Sequence, residues 1–306
     1  MTVRLRLPLA GPAGEPVDLL RTLNSHGFAD LPPLRLDEAA HTLELTLRLP
    51  GARPRRVRVG PGSGRQASVE ILGPGTLGAR AQAAVLQGVR HVLRMDEDLS
   101  AFYARCADDP DLSWAAAGAG RMLRSPTVFE DVIKTVCTTN CTWSATTRMV
   151  NALVAHLGEP AVGGDGPLTN AFPSPARMAA TPERFYRDTA RTGYRGAYLI
   201  SLARSAAGRE LDLEGLGAAT REELPDDELE RRLTALPGVG PYAAAHIMMT
   251  MGRHSRLILD SWTRPKYARL VGKKTVADAT ILRRFRRFGP EAGLAFWLFV
   301  TRDWVD

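Results

Sequence analysis

No run of about 18 apolar residues occurs anywhere in this 306-residue chain, so no segment reads as a bilayer-spanning helix. The N-terminus, Met1-Thr2-Val3-Arg4-Leu5-Arg6-Leu7, alternates charged and apolar residues where a secretory signal needs an unbroken apolar stretch, and it reads as cytoplasmic. Cysteine is scarce. The three present, Cys106, Cys137 and Cys141, show neither C-x-x-C spacing nor a four-ligand cluster, which excludes an iron–sulfur cluster held by four cysteines of this chain. They read instead as reduced thiols, and no firm metal-ligand set is visible. There are no tandem repeats and no low-complexity tract longer than a loop. Acidic residues are outnumbered, 33 against 40 Lys and Arg, and the net charge of +7 favours a polyanionic partner without naming one. What the chain does have is length for two or three packed units.

Its patterning changes once. Leu43, Leu45, Leu47 and Leu49 alternate with Thr42, Glu44, Thr46 and Arg48; Val57 and Val59, then Val69 and Ile71, follow after glycine- and proline-rich breaks. This predicts an antiparallel meander with one buried face, to which Val3, Leu5 and Leu7 offer a further strand. After Gly73-Pro74-Gly75 the period becomes helical, with Val85, Leu86, Val89, Val92 and Leu93 on one stripe. The fold class is therefore α+β, with a small sheet over residues 1–80 and a helical region over residues 81–306. Within that region, helices are expected from Trp143 to Leu157 and over about 175–190, 194–207 and 226–235. Thr138-Thr139-Asn140-Cys141-Thr142, whose side chains compete for backbone hydrogen bonds, marks a junction before the first of them.

One stretch carries chemistry. Leu236-Pro237-Gly238-Val239-Gly240 stops a short amphipathic helix, and a new one begins at Pro241 or Tyr242, where proline is tolerated because its missing N–H has no partner to lose. The glycines leave no side chain between backbone and ligand, so the N–H groups at the helix start can converge on an anion such as a phosphate. A plain helical corner with glycine caps is the competing reading. Twenty residues after Gly240 stands Asp260, behind the apolar Leu257-Ile258-Leu259 and at the start of another helix-like segment. By itself it reads as a helix cap.

Taken together, these segments resemble the helix–hairpin–helix (HhH-GPD) DNA glycosylases, which pair an L-P-G-V-G hairpin with a downstream catalytic aspartate. Val136-Cys137-Thr138-Thr139-Asn140 and Gly193-Tyr194-Arg195-Gly196-Ala197-Tyr198 are similar to segments of the 8-oxoguanine enzymes, and the N-terminal meander resembles the small TBP-like sheet domain preceding their helical domains and those of 3-methyladenine enzymes. The likeness covers most of residues 40–300. It implies two helical subdomains with the active site in the cleft between them. It implies that Asp260 stabilises positive charge on the deoxyribose, that Leu236 to Gly240 grip DNA, and that Asn140 fills the gap left by an everted base. Tyr242 and His246, four apart on one helix face, together with Trp262, Phe296 and Trp297, would border the base pocket.

Two departures matter. Bifunctional relatives carry a lysine at the position of Tyr242, and a phenol forms no Schiff base, so a monofunctional enzyme using water is expected. Phe296 stands where the 8-oxoguanine enzymes read the base with a glutamine, which moves the expectation toward alkylated purines. No cofactor is expected beyond a monovalent cation at the hairpin carbonyls, which the resemblance suggests. The expected partner is double-stranded DNA containing damaged bases, met by a monomer in the cytoplasm at the nucleoid. Two alternatives stay open: excision of 8-oxoguanine or deaminated purines, and a non-catalytic hairpin protein that only binds DNA. Arg283-Arg284-Phe285-Arg286-Arg287-Phe288 reads as a solvated helix face with two inward phenylalanines, or as a phosphate track.

Overall fold

The structure is a computed structural model and describes residues 3–305. Five antiparallel strands, β1 (Val3–Pro8), β2 (Arg35–Asp37), β3 (Thr42–Leu47), β4 (Arg55–Pro61) and β5 (Gln66–Ile71), form one sheet in the order β1-β5-β4-β3-β2. The register sets Leu43 opposite Val59, Leu45 opposite Val57, and Val59 opposite Val69, so the period-two apolar residues share one face. Helix Ala79–Val92 lays Val85, Val89 and Val92 on that face. Each such side chain withdrawn from water contributes about 1.5–3 kcal/mol. The opposite face of β3 is covered as well, which the alternation did not predict. Glu44 and Thr46 are buried because Arg56 lies over them, its Nε bonded to Glu44, and because the Thr46 hydroxyl donates to the Thr169 carbonyl at 2.7 Å.

Between β1 and β2 the chain leaves the sheet. Helix Leu19–Leu23 and the short turn Gly27–Asp30 carry Phe28 and Leu31 into the interior of the helical region. That region is organised around two apolar clusters. One joins helices Val128–Thr138, Trp143–Leu157, Arg195–Ala207 and Asp226–Thr234 through residues such as Val136, Leu153, Leu199 and Leu229. The other joins helices Ser100–Ala107, Thr263–Leu270, Asp278–Phe285 and Ala292–Thr301 through Phe102, Tyr267, Phe285 and Phe296. Helix Pro241–Thr250 belongs to both: Ala244, Ile247 and Met248 face the first cluster, Ala245 and Met249 the second, and Tyr242 packs against each. The expected helix over 175–190 is broken into Pro175–Ala179 and the single turn Phe185–Thr189, separated by Thr181-Pro182, whose proline cannot continue the first helix. In the arginine run, Phe285 and Phe288 are buried while Arg284 and Arg287 pair with Asp111 and Asp109, so it is a solvated face with inward phenylalanines. Among the described residues no helix is long and apolar enough to cross a membrane.

Candidate active site

The hairpin is anchored by its apolar positions and opened by its glycines. Leu229, Leu233 and Val239 are buried, which fixes the end of helix Asp226–Thr234 and the corner after it. Gly238 has φ +79°, and a Cβ there would lie 2.6 Å from Tyr198 Cδ2, so both backbone and packing demand glycine. Gly240 differs: a Cβ there would meet nothing within 4 Å, and the residue caps helix Pro241–Thr250 with its carbonyl receiving Ala244 N–H at 2.9 Å. Among the described residues, the N–H groups of Gly240, Tyr242 and Ala243 find no acceptor within the chain. They lie at a helix N-terminus with open space before them, the arrangement that attracts an anion.

Asp260 is locked by a reciprocal cap. Its Oδ1 accepts the N–H groups of Trp262 at 2.8 Å and Thr263 at 2.7 Å, while its own N–H donates to Thr263 Oγ1 at 2.9 Å. The Thr263 hydroxyl in turn donates to the Ile258 carbonyl at 2.8 Å, and Thr263 is fully buried. One carboxylate oxygen is thereby held at the start of helix Thr263–Leu270, and the other, Oδ2, has no partner among the described residues. Thr263 was not singled out from sequence, although Asp-x-x-Thr has capping-box spacing.

Asp260 is half-buried in the wall of a cleft of about 730 Å³. Gly238, Gly240, Pro241 and Tyr242 form one side of it, Leu259 to Trp262 another, and Thr138 to Cys141 with Trp143, Tyr194 and Tyr198 the third. The hairpin, the aspartate and Asn140 therefore meet around one space. Asn140 sits at the junction between helices Val128–Thr138 and Trp143–Leu157 with φ +48°, its side chain exposed and its Nδ2 donating to the Tyr194 hydroxyl at 3.4 Å. Arg195 stacks its guanidinium 4.6 Å from the Tyr194 ring centre and donates to the Thr139 carbonyl, tying the two segments together. Tyr242 turns its phenol toward Thr138 and Asp260; burial pushes its pKa up, Thr138 opposes that shift, and the charge of Asp260 adds to it. Trp262 is 40% exposed and rests on Trp304 and Trp297, with ring centres 5.5 and 6.0 Å away.

Three expected pocket residues lie elsewhere. Phe296 is fully buried among Tyr267, Phe285 and Phe299, because helix Ala292–Thr301 is apolar on every side and buries every residue. Trp297 is buried on the same helix and donates its indole N–H to the Ser25 carbonyl at 2.7 Å; it reaches the cleft only by supporting Trp262. His246 lies beneath Tyr242, packed against Phe28 and His26, and is absent from the cleft lining. Burial holds its pKa down at about 3. In exchange the structure brings in Trp143 and Tyr194, exposed by 46% and 55%, and Tyr198. Apolar periodicity could not find the first two, since both sit at helix starts where a rim and a core position look alike.

A wider groove, about 1150 Å³, crosses the outer face of the sheet; in it Glu44 pairs with Arg35 and Arg58, and Glu70 with Arg4 and Arg58, while Asp30, Asp37 and Glu38 add acidic charge without an ion-pair partner among the described residues. The cleft at the hairpin is the candidate site because it joins backbone donors without an acceptor among the described residues to a carboxylate oxygen without a partner among them. Among the described residues no group of three or more His, Cys, Asp or Glu side chains is placed to hold a metal ion.

No protein-family model and no curated protein matches the sequence. Solved structures do match its fold. A 3-methyladenine DNA glycosylase from Archaeoglobus fulgidus superposes with a TM-score of 0.73 at 19% identity over 99% of this chain and 100% of that one. The structure of MBOgg1 in complex with a low affinity DNA ligand gives 0.71 at 17%, covering 99% and 96%. The Clostridium acetobutylicum 8-oxoguanine glycosylase/lyase with DNA gives 0.63 at 17%, covering 90% and 99%. The chain thus has the α+β fold of these proteins along nearly its whole length.

Proposed function

We propose that the chain is a monofunctional DNA glycosylase acting as a monomer on double-stranded DNA, and that it hydrolyses the bond between deoxyribose and a damaged, alkylated purine. The observation that carries this reading is the convergence of the hairpin, Asp260 and Asn140 on one cleft, in a fold shared with a structure described as a 3-methyladenine DNA glycosylase and with one described as an 8-oxoguanine glycosylase/lyase in complex with DNA. The free N–H groups at Gly240, Tyr242 and Ala243 hold a backbone phosphate, Asn140 enters the stack that an everted nucleotide vacates, and the base enters the cleft. As the base leaves with the bonding electrons, the sugar gains positive charge, and the fixed carboxylate of Asp260 stabilises it. Water then adds to the sugar carbon, and its proton leaves by way of the unpartnered Oδ2.

Two features support the finer part. Among the described residues no lysine lines the cleft, and Tyr242 stands at the hairpin where an amine would be needed for a Schiff base, which favours water as nucleophile and an intact abasic site. The lining also lacks arginine and histidine and holds one carboxylate among Trp143, Tyr194, Tyr198, Tyr242 and Trp262, a setting that suits a base already carrying positive charge. With Phe296 buried, this charge balance replaces it as the argument for alkylated purines. The carbonyls of Pro237, Gly238 and Val239 receive no N–H from described residues, so a monovalent cation that steadies the hairpin on a phosphate has oxygen ligands available.

The test is incubation with duplexes that each carry one defined lesion, with base release and strand cleavage scored separately before and after alkali. Release with cleavage only after alkali is the expected result. Cleavage without alkali, or trapping of a protein–DNA adduct by borohydride, contradicts the monofunctional assignment; binding without any release favours the DNA-binding alternative.

A further inference from the structure

Among the described residues the cleft is lined by one carboxylate, Asp260, and by no cation, yet a guanidinium stands one helical turn from that carboxylate. Arg264 follows Asp260 by four residues, and its backbone N–H donates to the Asp260 carbonyl at 3.3 Å, so the two side chains leave the same side of the turn that opens helix Thr263–Leu270. An acid followed four residues later by a base is the favoured order for an ion pair along a helix. That pair does not form. Oδ2 of Asp260 has no partner among the described residues, and Arg264 turns instead to Asp278, with Nε donating to one carboxylate oxygen and Nη2 to the other, each at 2.8 Å. We infer that Asp278 is a positioning residue that holds Arg264 off Asp260 and so leaves the charge of that carboxylate to the sugar, an inference that rests on the glycosylase reading.

Asp278 is itself held in place. It is the first residue of helix Asp278–Phe285, where its negative charge suits the helix N-terminus. That helix is fixed against helix Thr263–Leu270 by burial: Ile281 and Phe285 join Tyr267 in one apolar cluster, with the Tyr267 and Phe285 ring centres 6.2 Å apart. A guanidinium gripped at two nitrogens by one carboxylate is the strong form of such a pair, and it fixes the direction of the arginine. The Arg264 guanidinium holds the Asp278 carboxyl below the usual carboxylate range, and Arg264 is itself raised chiefly by its hydrogen bonds to Asp278, the charge of Asp260 adding in the same sense. Arg264 thus lies within the field of both carboxylates and is bonded to one. The two side chains are exposed by 43% and 44%, so the pair contributes little to folding and its removal leaves the scaffold intact. A positive charge beside Asp260 would cancel part of the field that a sugar cation meets, whereas one neutralised by Asp278 does not.

The test is single-turnover base release at saturating protein, from a duplex carrying the lesion that the unmutated protein releases fastest. Asp278→Ala frees Arg264 to pair with Asp260 and is expected to slow release about ten-fold. Arg264→Gln should release at no less than the parental rate, and Arg264→Gln added to Asp278→Ala should restore that rate to within about two-fold, a rescue that loss of a merely structural contact would not give. An unchanged rate in Asp278→Ala, or a double variant as slow as Asp278→Ala alone, overturns the inference while leaving the glycosylase reading intact. So does an equal fall in Arg264→Gln, which would make the arginine itself a contributor to release. Silence of the unmutated protein on every lesion overturns both.

Discussion

Asp260→Asn separates the capping role that the structure gives this side chain from the catalytic role proposed for it. The aspartate holds its own helix start, with Oδ1 accepting two backbone N–H groups, and in the cleft wall its Oδ2 has no partner among the described residues. An asparagine oxygen can take over the first role, since Asn and Asp cap helices about equally well. Loss of the charge at the helix N-terminus costs about 0.3–1 kcal/mol. The second role vanishes with the charge. For a sugar cation about 4 Å from the carboxylate, at an effective dielectric near 20, the attraction is about 4 kcal/mol. That corresponds to about three orders of magnitude in rate, at 1.36 kcal/mol for each factor of ten. Expected, then, are base release slowed about 1000-fold in single-turnover assays, DNA affinity within about three-fold, and an unfolding midpoint in urea almost unmoved. Release within ten-fold of the unmutated protein would refute the electrostatic role, and a large fall in stability would mean that the cap argument is wrong.

The hairpin glycines should respond oppositely to the same substitution. Gly238→Ala forces a left-handed residue and a contact with Tyr198, so it should destabilise by about 2–4 kcal/mol in chemical denaturation. Gly240→Ala has room and an ordinary φ of −93°, so stability should stay within about 0.5 kcal/mol while DNA binding, read by fluorescence anisotropy, weakens as the methyl group stands before the phosphate donors. Tyr242→Lys places an amine in the cleft, and borohydride trapping should then appear where the parent shows none. Acid is the last lever. Burial lowers His26 to about 4 and His246 to about 3 from 6.5, so the unfolded chain binds more protons between those values, and their share of stability, full above pH 6.5, is lost as pH falls toward 3. Asp131, raised by burial to about 6, acts in the opposite direction. A His26→Gln/His246→Gln double variant should therefore show a flatter decline of the urea midpoint from pH 7 to 4 than the parent; an equal decline would count against buried neutral imidazoles.

The meander, the switch to helices near Ala79, the hairpin and Asp260 were legible in the sequence because each is a local matter: a period of two or 3.6, a glycine that permits a turn, a carboxylate at a helix start. Local rules misplace side chains where neighbours decide. Phe296 and Trp297 sit on a helix apolar all round, and nothing in such a stretch says which face meets a cleft. His246 shares a helix face with Tyr242, but Phe28 and His26, delivered from the segment between β1 and β2, cover it and leave only the tyrosine at the surface of the site. Glu44 and Thr46 alternate as solvent-facing residues should, yet Arg56 and Thr169 close over them.

Sequence alone thus determined the α+β class, the glycine corner before helix Pro241–Thr250 and the carboxylate at a helix start, since these depend on backbone conformation and on residues a few positions apart. Only the tertiary structure decided which aromatics face the carboxylate, that Thr263 orients it, and that Asp278 binds Arg264, because each of these depends on chain segments brought into contact by burial of apolar surface, which has no direction along the sequence.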